Sequence, residues 1–222
     1  MNKTLQLILD WSEVWALLIP LFVLVVRGKQ PPLLKPVIVY LWLALLFNFI
    51  ADIIGDFKRY FPAWIQSNNP LYNVHSLVRF ACFSYFFISL KQSSTNAIQK
   101  IIPFLSLLFV LINFSFFENF FNPMHLSGDL LAVEAYLLLI YCMLYYLLRL
   151  KKDVEVISGG KVFWVVTGLS IYVVINFFVF LFYLPMIKLN PMLAGKMWTI
   201  HNIAYIIFCI LIAKAFYVHN KH

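Results

Sequence analysis

The chain has 222 residues, 63% of them hydrophobic and only 12% charged, with a mean hydropathy of +0.87. Too few polar side chains remain to cover a soluble domain of this size, so lipid is the solvent for most of its surface. The net charge of +8 does not point to nucleic acid, because the basic residues stand singly in several short segments and form no stripe.

Apolar residues run continuously instead of alternating, which argues against an outer-membrane barrel and for helices. The N-terminal segment looks at first like a secretion signal, with Lys3 followed by an apolar run. Asp10 and Glu13 interrupt that run and no small-residue cleavage site follows, so it reads as the first membrane helix. Runs long enough to span roughly 30 Å at about 1.5 Å per residue then fall at 9–26, 37–56, 70–90, 101–118, 129–149, 162–184 and 196–217.

The breaks have local causes. Gly28 with Pro31 and Pro32 stops the first helix, and Pro62 with Asn68, Asn69 and Pro70 marks the second connection. Asn122-Pro123, Gly159-Gly160 and the stretch from Pro185 to Pro191 mark later ones. The expected fold is an all-α integral membrane protein, a single seven-transmembrane-helix bundle. No connection exceeds about fifteen residues, which leaves no room for a soluble catalytic or DNA-binding domain.

Orientation follows from Lys and Arg. One side collects Arg27, Lys29, Lys35, Lys91, Lys100, Arg149, Lys151, Lys152, Lys161, Lys214 and Lys221, whereas the other has Lys3, Lys58, Arg59, Lys188 and Lys196. The positive-inside rule then predicts N-out and C-in. Cys82, Cys142 and Cys209 lie inside apolar runs without close spacing and read as small apolar fillers.

Ionisable groups in hydrocarbon are costly and therefore informative. Asn48, Asp52 and Asp56 form one stripe of the second helix, His75 and Arg79 stand a turn apart in the third, Glu134 is early in the fifth and Asn176 is in the sixth. The seventh presents Trp198, His201, Asn202 and Tyr205 along one face. Helix rise puts most of these in the outer half of the membrane, above an inner half with almost nothing ionisable. The pattern predicts an outward-facing polar cavity bound by Asp52, His75, Arg79, Glu134, Asn176, Trp198, His201, Asn202 and Tyr205. Arg79 needs a counter-ion, and Asp52 or Glu134 is the natural one. The plainer reading is a hydrogen-bond and ion-pair network that only fixes helix packing.

Other chemistry is weaker. His75, His201 and Glu134 could in principle ligate a metal, but no two stand a turn apart on one helix and Arg79 would repel a cation, so no metal and no cofactor is assigned. Lys214 lies near the cytoplasmic end and snorkels instead of holding a chromophore. His125 reads as interfacial, with the aromatic run around it as a belt, and His219 and His222 belong to a polar tail.

Three segments carry a resemblance: NNPLYNVHSLVRF at 68–80, FWVVTGLSIYVVINFFVFLF at 163–182 and MWTIHNIAYIIFCILIAKAF at 197–216. With His75, Phe163, Trp164, Gly168, Tyr172, Trp198, His201 and Tyr205 in matching positions, the chain resembles a family of uncharacterised seven-transmembrane inner-membrane proteins of Bacteroidota. Arg79 stands where that pattern leads one to expect an acidic residue. The resemblance implies a bacterial inner (cytoplasmic) membrane and companionship with signalling proteins, without an established activity.

The expected function is a receptor-like or sensory module that binds a small molecule from outside and signals through a cytoplasmic or membrane partner, with the 149–161 connector as a contact. The alternatives are a small-solute transporter, which needs polar groups reaching both sides, and an intramembrane metal-dependent hydrolase, which needs a denser set of histidines. No catalytic residue is assigned.

Overall fold

A computed structural model describes residues 3–62, 67–90, 96–119, 126–151 and 160–218 of the chain. The expectations for Asn122-Pro123, His125, most of the 149–161 connector, and His219 and His222 lie outside the described residues. The protein is all-helical, with no strand among the described residues. Among the described residues eight α-helices follow in order: α1 (Lys3–Asp10), α2 (Ser12–Arg27), α3 (Lys35–Phe57), α4 (Asn69–Ser89), α5 (Asn96–Ile112), α6 (Gly128–Lys151), α7 (Lys161–Leu189) and α8 (Pro191–Tyr217). Among the described residues five segments are long and apolar enough to cross a membrane, those built on α3, α5, α6, α7 and α8. The other two expected spans fall on α2, of 16 residues, and the more polar α4, which are not among those five.

The ends obey local rules. Gly28 adopts φ 66° after α2, a left-handed conformation that costs glycine little, and its N–H donates to the Leu24 carbonyl. The expected break between Pro185 and Pro191 shrinks to Asn190 alone. Pro185 is accommodated inside the last turns of α7, while Pro191 opens α8, where a missing N–H costs nothing. The Asn190 side chain caps the new helix by accepting from the Leu193 N–H at 3.1 Å. The fourth expected span ends differently too. After Ile112 the chain widens into a π turn over Asn113–Phe117, closed by the Glu118 N–H on the Asn113 carbonyl at 2.8 Å.

Packing closes α2, α3, α4, α6, α7 and α8 into a ring, each touching the next and α8 returning to α2. α5 lies outside this ring against α4 and α6, and only 17% of its apolar window is buried. Its outward face, with Ile101, Phe104, Leu108 and Leu111, is left for lipid. Between apolar helices in lipid, close van der Waals contact replaces the hydrophobic effect as the cohesive force. Accordingly the centre is filled by rings: Tyr40, Phe83, Phe86, Phe87, Tyr141 and Phe208 are all fully buried. Gly168 lets α7 approach α8 closely, since a Cβ there would sit 3.0 Å from that of Leu211 and 3.4 Å from the Phe208 carbonyl oxygen.

The two ends of the ring differ in charge. Asp10, Asp52 and Asp56 gather at one end, where Trp11 Nε1 donates to Asp56 Oδ2 at 3.1 Å. Arg27, Lys161 and Lys214 gather at the other. There Lys161 Nζ donates to Gln30 Oε1 at 2.6 Å and reaches the Phe216 carbonyl that ends α8, while Lys214 lies 3.7 Å over the Trp164 ring.

Candidate functional site

Below the acidic end, among the described residues, the ring carries a buried ion pair and a buried histidine–carboxylate pair. Arg79, on α4, points inward because its apolar neighbours Phe80 and Phe83 fix that face of the helix against the core. Its guanidinium meets the Glu134 carboxylate of α6 as a fork, Nε to Oε1 and Nη2 to Oε2, both at 2.6 Å. Its remaining Nη1 donates to the Tyr172 hydroxyl of α7 at 2.7 Å, and Ser76 donates to Glu134 Oε2 at 2.5 Å. Arg79 and Glu134 are only 5% and 3% exposed, so the pair persists by satisfying nearly every donor and acceptor it has. The counter-ion of Arg79 is therefore Glu134 and not Asp52.

The second pair joins α2 to α8. His201 Nε2 lies 2.5 Å from Glu13 Oε1, and its Nδ1 lies 2.5 Å from Asn176 Oδ1 of α7. Asn176 is held by its own amide, which donates to the Tyr172 carbonyl at 2.8 Å. Glu13 Oε2 accepts from the Tyr72 hydroxyl at 3.2 Å, and Asn48 of α3 donates to the Glu13 carbonyl at 3.0 Å and to the Tyr205 hydroxyl at 3.3 Å. Tyr172 thus links the two pairs, its hydroxyl accepting from Arg79 and its carbonyl accepting from Asn176, which in turn meets His201.

Arg79, Glu13 and His201 face a small cavity of about 10 Å³, lined by Glu13, Tyr72, His75, Arg79, Leu131, Phe180, Trp198, His201 and Tyr205. That volume sits at the lower limit for a single water molecule. His75 is 4% exposed and its ring is stacked near Tyr40 and Phe47, with centroids 5.8 and 6.1 Å away. Its Nε2 has no hydrogen-bond partner among the described residues. Trp198 closes the top, its ring 5.8 Å from Tyr72, 5.2 Å from Tyr183 and 5.0 Å from His201.

Of the nine residues expected from the sequence, His75, Arg79, Trp198, His201 and Tyr205 line this cavity, and Glu134 and Asn176 brace two of them from behind. The other two lie apart. Asn202 ties α8 to the N-terminal segment by donating to the Leu9 carbonyl at 2.9 Å. Asp52 is displaced toward the acidic end, where one of its oxygens is buried without a partner among the described residues and the charges bearing on it are Glu13, Asp56 and Asp10.

The principal residue missed is Glu13. It was read as an interruption of a signal-like run, yet the insertion cost that singled out Glu134 applies equally to a carboxylate in the first apolar run. Tyr72, Ser76 and Tyr172 were also missed as site residues, and their spacing gives no signal because tyrosine and serine are cheap enough to occur anywhere in such helices. Among the described residues no three His, Cys, Asp or Glu side chains are grouped to hold a metal ion. Comparison with protein families, with curated proteins and with solved structures finds no match to this chain.

Proposed function

We propose that the chain is a receptor-like sensory module of a bacterial inner membrane, spanning it seven times with the N-terminus outside. It takes a small polar ligand at the Glu13, His75, Arg79 and His201 cluster and signals through a partner. The observation that carries this reading is His75. A buried imidazole nitrogen without a partner costs about 1–3 kcal/mol, and His75 lines the same cavity as Glu13, Arg79 and His201. Such a group is what a ligand would satisfy.

A cavity this small admits a ligand only if the Trp198 and Tyr72 rings that line it are displaced, so binding and a shift of α8 against α4 are one event. The larger share of Lys and Arg at the opposite end, with Arg27, Lys35, Arg149, Lys161 and Lys214, supports taking the acidic end as outer. A transporter is less well supported, because beneath the cluster the path is filled by fully buried Phe83, Phe87, Tyr141 and Phe208.

The test is thermal unfolding of the protein in lipid nanodiscs with a panel of small polar probes, including ammonium, acetate, imidazole and urea. The reading expects at least one probe to raise the midpoint in the wild type and not in His75→Phe, which keeps the stacking ring and removes the nitrogens. A panel without effect, or a shift that survives in His75→Phe, would reject it.

A further inference from the structure

The hydrogen bonds around His201 determine how many protons its neighbourhood must hold. Asn176 spends its amide N–H on the Tyr172 carbonyl, so the oxygen it turns to His201 is an acceptor and His201 Nδ1 must carry a hydrogen. On the other side Nε2 meets Glu13 Oε1, an atom that can donate only if the carboxyl is protonated. The partner oxygen, Oε2, already accepts from Tyr72. A neutral imidazole with its hydrogen on Nδ1 would therefore set a bare nitrogen lone pair against an ionised carboxylate at 2.5 Å. One further proton must lie between them, on nitrogen or on oxygen.

We infer that Glu13 and His201 together form a proton-binding site, in which a single proton joins α2 to α8 and is the ligand that keeps the bundle closed. In one form Nε2–H donates to the carboxylate. In the other the N–H bond has broken, an O–H bond has formed on Glu13, and the hydroxyl donates to Nε2. Removal of that proton by a solvent base leaves two acceptors in contact and drives α8 from α2 at this level.

The surroundings of the pair are otherwise balanced. From α4 it faces Tyr72, His75 and Arg79, the last neutralised by Glu134 of α6. From α7 it faces Tyr172 with Asn176, and on α8 itself Tyr205. From α3, Asn48 and Asp52 approach, and Asp52, one of whose buried oxygens has no partner among the described residues, feels the charges of Glu13, Asp56 and Asp10. The inference rests on reading this cluster as the responsive site and adds the chemistry of one of its ligands.

The experiment is nitrogen-15 NMR of histidine-labelled protein in nanodiscs, combined with infrared detection of a protonated carboxyl. The His201 signals are identified by their loss in His201→Gln. The inference expects both His201 nitrogens to be protonated at neutral pH, or Nε2 to be bare together with a carboxylic-acid band that disappears in Glu13→Gln. In Glu13→Gln the amide can donate to Nε2, so His201 should lose its Nε2 proton while keeping Nδ1–H. A wild-type spectrum with bare Nε2 and no acid band overturns the inference, whether or not the variant folds. That outcome combined with a probe-induced thermal shift would overturn it while leaving the sensing reading in place. A shared proton with no probe effect would support it and remove the sensing reading instead.

Discussion

The half of the ring near the acidic end is joined by polar contacts between helices, and the half near the basic end by rings. In the first, Glu13, Asn48, Arg79, Glu134, Asn176 and His201 each bond to a different helix. In the second, Phe83 meets Phe208 edge to face and Phe87 stacks on Tyr141, and the cations are pushed out to the rim, where Arg27 lies 3.8 Å over Tyr217. Aromatic packing tolerates small shifts because contact energy is spread over many atoms. A bidentate ion pair does not, because losing one partner strands a charge. The acidic half is therefore where a small chemical change can alter which helices touch.

The largest break in that contrast comes from the ion pair. Arg79→Ala leaves Glu134 buried and unpaired and should cost about 3–5 kcal/mol, read as a fall in the unfolding midpoint in detergent. Arg79→Met with Glu134→Leu removes both charges and should recover most of the loss. If the double variant is stable but no longer responds to any probe that shifts the wild type, the pair serves binding. If it remains as unstable as Arg79→Ala, the pair is needed for packing alone. In the aromatic half, Phe83→Ala should cost about 3 kcal/mol, the low end for truncating a buried aromatic, because Tyr40, Phe86 and Phe208 can close over part of the space. Combined with Arg79→Ala, the two losses should add to within about 0.5 kcal/mol. A larger coupling would show that the two halves are one cooperative unit.

How much of this was legible depended on the cost of each residue in lipid. Arg79, Glu134, His75 and His201 stood out because each is expensive in hydrocarbon, and the structure brings all four together. Their pairing was not legible. Arg79 could have reached Asp52 or Glu134, and only the ring order, with α4 beside α6, decides for Glu134. Glu13 was hidden by its position, since an N-terminal apolar run invites comparison with a signal. The Pro185 to Pro191 region misled because two prolines suggest a loop, whereas one proline at a helix start and one near a helix end need almost none. The number of spans was less legible than the helices themselves, because α2 and α4 trade apolar length for the polar residues of the site.

The interface between α7 and α8 crosses both halves, and Gly168 sets its spacing. Gly168→Ala places a Cβ 3.0 Å from that of Leu211, so the helices must separate by a few tenths of an ångström. The expected loss is about 1–2 kcal/mol, as for other overpacked sites. Because His201 and Asn176 lie on these same two helices, the separation should also lengthen their hydrogen bond. A Gly168→Ala protein that is destabilised but keeps the wild-type His201 Nδ1 resonance would show that the polar cluster is insulated from the crossing.

The smallest effect belongs to the basic rim. Lys214 is exposed, and its ammonium lies over the Trp164 ring of the neighbouring helix at 3.7 Å. At an exposed position such a contact is worth about 0.5–1 kcal/mol, and Lys214→Met, which keeps most of the stem, should cost no more than that in the unfolding midpoint. The orientation should not change, since Arg27, Lys35, Arg149 and Lys161 remain at the same end, and labelling of single cysteines placed near Asp56 and near Lys214 in intact cells reads it directly. A loss comparable with that of Arg79→Ala would mean that the rim cations clamp the bundle as firmly as the buried pair does, and the contrast between a polar half that switches and an aromatic half that holds would fail.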